Sequence, residues 1–192
     1  MNNAALWYAS RATGLVSLVL LTAVMVLGAL HRSRIASARW PRFVVGDIHR
    51  NLSLLAVMFI AVHVATAIMD PYVHIGWAAA VIPFVSPYQP MWVGLGAVAF
   101  DLLIALVGSS LLRGIVPARA WRTVHWAAYG CWPIAVLHGY GVGGADSRWG
   151  VVRILDLACI VTVLAAVAWR VKARHPDQVV RIPARVANRS GR

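Results

Sequence analysis

Four of the seven histidines stand inside long apolar runs, where an ionisable side chain is costly and by default marks a site. They form two couples, His49 with His63 and His125 with His138, spaced 14 and 13 residues apart. An imidazole in such a setting either hydrogen-bonds a neighbouring helix or ligates a metal. Zinc fits poorly, because it takes three or four protein ligands around one point. No carboxylate or cysteine falls level with both histidines of either couple. Haem iron fits better, since it takes one axial ligand on each face and imidazole is a common one. Facing helices of a bundle are a natural place to supply those two ligands.

The elements that must position these histidines follow from composition. The chain has 192 residues, 60% hydrophobic and 12% charged, against about 25% charged in ordinary soluble domains. Five apolar runs, at about 6–30, 43–69, 91–112, 120–140 and 149–171, each approach the ~20 residues that cross a bilayer. The expected fold is an all-α membrane protein, a bundle of five transmembrane helices. The first run is too long for a secretory signal and lacks a basic leader and a small-residue cleavage site, so it reads as a mature helix. The stretch 70–90 is too short and too rich in proline to span, and reads as an interfacial helix or a capping loop.

The net charge of +12 would suggest nucleic acid in a soluble protein. Here it sits in alternate connections, which makes it a topology signal and argues against a nucleic-acid partner. Arg32, Arg34, Arg39 and Arg42 occupy the first connection, and Arg113, Arg119 and Arg122 the third. The second connection has no Lys or Arg, and the fourth has Arg148 alone. The positive-inside rule then puts the N-terminus outside and the C-terminus inside, as an odd number of spans requires. Residues 1–174 form the membrane domain, and the basic, proline-broken tail 175–192 reads as disordered near anionic headgroups. Cys131 and Cys159 lie in apolar runs and read as small buried hydrophobes.

With this topology, spans two and four run parallel. A 14-residue step rises about 21 Å and a 13-residue step about 19.5 Å. His49 is therefore level with His125 near the inner surface, and His63 with His138 near the outer one. Azimuth is less simple. Fourteen residues bring His49 and His63 to about the same face, but thirteen leave His125 and His138 about 140° apart on a straight helix. Gly130 and Pro133 lie between them, so a kink or tightened turn is expected there. Arg50 and Arg122 at the inner level, and Arg11 and Arg148 at the outer, are candidates to bind haem propionates, because guanidinium grips carboxylates bidentately. Asp101 in span three reads as a structural hydrogen-bonding group.

The stretches from Gly46-Asp47-Ile48-His49-Arg50-Asn51-Leu52 to His63, and from Trp121-Arg122-Thr123-Val124-His125-Trp126 to His138, resemble the ferric reductase-like transmembrane domain. So does Ser10-Arg11-Ala12-Thr13-Gly14-Leu15 at the opening of the first span. That superfamily includes the NADPH oxidases, the yeast ferric reductases and the haem-binding membrane subunit of the bacterial periplasmic methionine sulfoxide reductase system. The resemblance implies two b-type haems, with His49 and His125 on the inner iron and His63 and His138 on the outer. It also implies an oxidoreductase that moves electrons from a cytoplasmic flavoprotein or quinol to an outer acceptor: ferric iron, dioxygen or a partner reductase. No nucleotide fingerprint is present, so any flavin would sit on a separate partner, as in the stand-alone bacterial branch. The alanine- and arginine-rich composition resembles a high-GC bacterium, and the implied location is its plasma membrane. Two other readings are a haem-free assembly or transport protein with structural histidine pairs, and the cytochrome b anchor of a larger quinone-linked reductase.

Overall fold

The structure, a computed structural model, describes residues 3–32, 42–144 and 150–172. Arg34, Arg39, Arg148 and the tail from residue 175 lie outside the described residues. Those described are helical, with no strand among them. The elements are α1 (Asn3–Arg32), α2 (Arg42–Met69), α3 (Pro90–Leu111), α4 (Ala118–Trp126), α5 (Ala128–Gly143) and α6 (Gly150–Lys172). Leu, Val, Ile and Ala carry these helices, and Pro90 opens α3 at a position where a missing N–H does no harm. Four segments are long and apolar enough to cross a membrane: Ala5–Leu30, Phe43–Met69, Pro90–Leu111 and Gly150–Lys172. Their outward faces carry exposed Met58, Ile104, Leu157, Val161 and Leu164, a surface suited to lipid.

The fourth expected span differs. It is two shorter helices, α4 and α5, divided at Ala127. The Ala127 N–H bonds the Val124 carbonyl and the Gly130 N–H bonds the Ala127 carbonyl, each three residues back, so the chain tightens there. A kink or tightened turn was expected about Gly130 and Pro133, the proline removing the N–H that would bond Tyr129. The tightened turn does reach Gly130, with its break at Ala127, between two rings that hold a cation. Arg170 of α6, 8% exposed, lies 5.3 Å from the ring centres of both Trp126 and Tyr129. Cation–π attraction across the break thus ties α6 to both halves of the divided span.

Helix α1 is the centre of the bundle. It packs on α2, α6 and α5, while α5 packs on α3. Leu18 of α1, Trp132 of α5, and Cys159 and Val163 of α6 form one buried cluster. Ala99 and Leu106 of α3 with Cys131 form another. Both cysteines are free and buried, as small hydrophobes. Inside the first cluster the Trp132 indole N–H donates to Thr22 Oγ1 at 3.0 Å, which satisfies both polar groups away from water. The 70–90 connection forms a loop with one 3-10 turn, Ala78–Ala80, packed on α3. Asp70 opens it by accepting the Tyr72 N–H.

Replacing Thr22 with Val should remove the Trp132 bond while keeping the side chain's shape. A loss of about 0.5–1 kcal/mol is expected. Unfolding in detergent should begin a few degrees lower, measured by circular dichroism, with the bundle otherwise intact.

Candidate functional site

The structure brings His63 and His138 together. Their ring centroids are 6.2 Å apart and their planes stand at 78°. The first comes from α2 and the second from α5, two helices that are not among the closely packed pairs of the bundle. Each imidazole is fixed from behind by a different neighbour. His63 Nδ1 lies 2.8 Å from the Ser10 carbonyl of α1, and His138 Nδ1 lies 2.8 Å from the Trp92 carbonyl of α3. A carbonyl can only accept, so Nδ1 carries the proton in both rings and Nε2 keeps its lone pair. Each Nε2 is thereby left as an acceptor, the form in which imidazole ligates a metal.

The separation tests the fit to a metal. Two imidazoles on opposite sides of one metal ion, with bonds of about 2.0 Å and about 1.1 Å from each nitrogen to its ring centre, would have centroids about 6.2 Å apart. The observed 6.2 Å fits two axial ligands of a single metal. Among the described residues no group of three or more His, Cys, Asp or Glu converges as a metal site. A two-histidine set suits a metal that brings its own equatorial ligands, as haem iron does.

A glycine lies against each of these rings. A Cβ built on Gly14 would stand 3.0 Å from His63 Cε1, and one on Gly96 would stand 2.6 Å from His138 Cε1. The α3–α5 contact is reciprocal, for the Trp92 ring lies against Gly141 of α5 where a Cβ would stand. Arg11 joins the same end of the bundle. It donates to the Val142 carbonyl of α5 at 3.1 Å and lies over the Trp7 ring at 5.2 Å. The residue before it, Ser10, supplies the carbonyl that holds His63. Among the described residues Arg11 is thus the propionate candidate at the end of the bundle where His63 and His138 come together.

At the basic end the two histidines have separate supports. His49 Nδ1 is 3.1 Å from the Val24 carbonyl of α1, beside Gly28. His125 stacks on Trp121 of its own helix, with centroids 4.7 Å apart and planes 21° apart. Arg113 lies over the Trp121 ring at 4.4 Å. Arg113, Val116, Ala118, Trp121 and Arg122 line a cleft of about 250 Å³ beside this stack. Arg122 therefore faces a surface cleft, and Arg50 is exposed on α2. Asp101 is half-buried on α3.

Sequence reasoning missed the carbonyls of Ser10, Val24 and Trp92, and the glycines Gly14, Gly28 and Gly96. One signal could have found part of the set: Gly14 and Gly28 repeat the 14-residue step of His49 and His63. Comparison of the chain with family models, curated proteins and solved structures gave no match.

Nitrogen-15 spectra of haem-free protein should show His49, His63 and His138 as the Nδ1–H tautomer. A dominant Nε2–H form at His63 or His138 would contradict the hydrogen bonding described above.

Proposed function

We propose that this chain is a membrane cytochrome b, conducting electrons across a bacterial plasma membrane through two b-type haems. In this reading His63 and His138 bind the outer iron, and His49 and His125 the inner one. The donor is a cytoplasmic flavoprotein or quinol, and the acceptor lies outside: ferric iron, dioxygen or a partner reductase. Helices α4 and α5 together make the fourth of five crossings, with the N-terminus outside and the C-terminus inside.

One observation carries the reading. The His63 and His138 rings come together at 6.2 Å between centroids, each with its Nδ1–H given to a carbonyl, so that Nε2 is the nitrogen that would hold a metal. The haem supplies the one-electron couple when bound. The chain's own residues do the rest. The Ser10 and Trp92 carbonyls hold the two rings in one tautomer and raise the basicity of Nε2. Arg11 offers a guanidinium to a carboxylate at the same end. The apolar helices keep water from the site. Donor access at the basic end is supported by the cleft between Arg113 and Arg122, which reaches Trp121 and so the ring of His125.

The haem-free alternative would have the histidines serve packing alone. It gives no reason for two imidazoles from helices not closely packed on each other to come together with Nδ1 already committed to carbonyls, in a bundle where an unmatched polar group is penalised.

Haem quantification on the wild type and four single His→Ala variants tests the proposal. Two haems per chain are expected in the wild type. Loss should group as His49 with His125 and His63 with His138. Ring planes at 78° also predict a strongly anisotropic low-spin ferric signal for the outer haem by electron paramagnetic resonance. A colourless wild type from haem-replete cells would defeat the reading. Reporter fusions should place both the segment between α1 and α2 and the C-terminus in the cytoplasm. Signals from opposite sides would overturn the five-crossing topology.

A further inference from the structure

The three described histidine–carbonyl bonds share one pattern along the helix that accepts them. His63 bonds the carbonyl of Ser10 and lies against Gly14. His49 bonds the carbonyl of Val24 and lies against Gly28. His138 bonds the carbonyl of Trp92 and lies against Gly96. In each case the glycine follows the accepting residue by four positions. The pattern has a physical cause. In an α-helix the carbonyl of residue i already accepts from the N–H of residue i+4. Its second lone pair remains available, but points out past the side chain of residue i+4. A Cβ there would crowd the His138 ring at 2.6 Å and the His63 ring at 3.0 Å, and would come into ordinary contact with the His49 ring at 3.4 Å. Without the Cβ, the imidazole reaches the open side of the carbonyl, and the Ser10 carbonyl also accepts from Thr13 Oγ1.

The repeat also sets register. On α1 the accepting residues Ser10 and Val24 are 14 apart, as are Gly14 and Gly28, and on α2 the histidines are 14 apart. The two helices run antiparallel and pack along their length. Both copies therefore meet on the same pair of faces, four turns apart. A slip of one residue between α1 and α2 would break both bonds together.

The geometry points to Gly14, Gly28 and Gly96 as positioning residues. Each opens a carbonyl to one imidazole Nδ1–H and so fixes the tautomer and aim of that ring's Nε2. The inference rests on the haem reading only for what Nε2 then ligates. The tautomer it predicts belongs to the chain alone.

The experiment uses Gly14→Ala, Gly28→Ala and Gly96→Ala in the full chain, with Gly108→Ala and Gly130→Ala as controls, since a Cβ at either control meets nothing within 4 Å. Nitrogen-15 spectra of the haem-free variants should show the Nδ1–H form lost at His138 in Gly96→Ala, its hydrogen bond weakened at His63 in Gly14→Ala, and least altered at His49 in Gly28→Ala, each at its own ring only. In haem-loaded protein, the Gly14 and Gly96 variants should raise the outer haem's midpoint potential and leave the inner one in place, because a less basic imidazole favours ferrous iron. Gly28→Ala, whose added methyl would be in ordinary contact with the His49 ring, should change either potential least. If Gly96→Ala does not fold, Gly14→Ala decides the matter, since the His63 ring need give only by tenths of an ångström. An unchanged His63 signal in that variant would overturn the inference even if haem binds. A colourless wild type with altered tautomers would instead uphold the inference and defeat the haem reading.

Discussion

The bond from an imidazole Nδ1–H to a backbone carbonyl of the next helix governs the rest of this structure. A histidine in an apolar bundle carries two polar nitrogens and no water to satisfy them. Giving one nitrogen to a carbonyl solves half of that problem and defines the other half. It makes the second nitrogen a lone-pair donor of known direction. It also ties together two helices whose apolar faces gain little from each other in lipid. His63 thereby ties α2 to α1, and His138 ties α5 to α3. The two rings approach each other because each is held from behind, not because they attract.

The divided fourth span follows from the same demand. A continuous helix would have turned His125 and His138 to nearly opposite sides. The tightened turns about Ala127 change the relation between the two halves. Arg170 stabilises that break by lying against the rings on either side of it. An arginine suits this role better than a lysine, since its flat guanidinium can stack on aromatic faces while losing water more easily. Arg113 does similar work over Trp121. Some of the basic-end charge that reads as a topology signal is therefore also structural.

Much of the outer site was legible in the sequence because it is written in side chains. The matched depths of His63 and His138, and the single arginine in the opening turns of α1, needed only helical rise and charge alternation. The accepting carbonyls were not legible, since every residue owns one and its type does not advertise its use. Their glycines were visible but looked like ordinary small residues of a membrane helix. A tightened turn between His125 and His138 was foreseen, and it reaches Gly130, but proline was weighed as its cause. The aromatic pair Trp126 and Tyr129, with a cation arriving from a helix more than 40 residues on, was invisible until the bundle was assembled. Arg50 and Arg122 were read by their level along the spans, and level alone does not fix which way a long side chain turns.

The two ends of the bundle are built differently, and the difference has a chemical meaning. At one end both rings of a couple are held by carbonyls on separate helices, which leaves each imidazole little freedom. At the other, His49 is held by a carbonyl, while His125 stacks on Trp121 next to an open cleft with two guanidiniums. Stacking restrains a ring's plane more than its position along that plane, because the contact is broad and only weakly directional. Under the proposed function, the more rigid couple would suit the acceptor side and the looser histidine beside the cationic cleft the donor side. The polarity of electron flow would then be built into how the histidines are supported as well as into the loop charges.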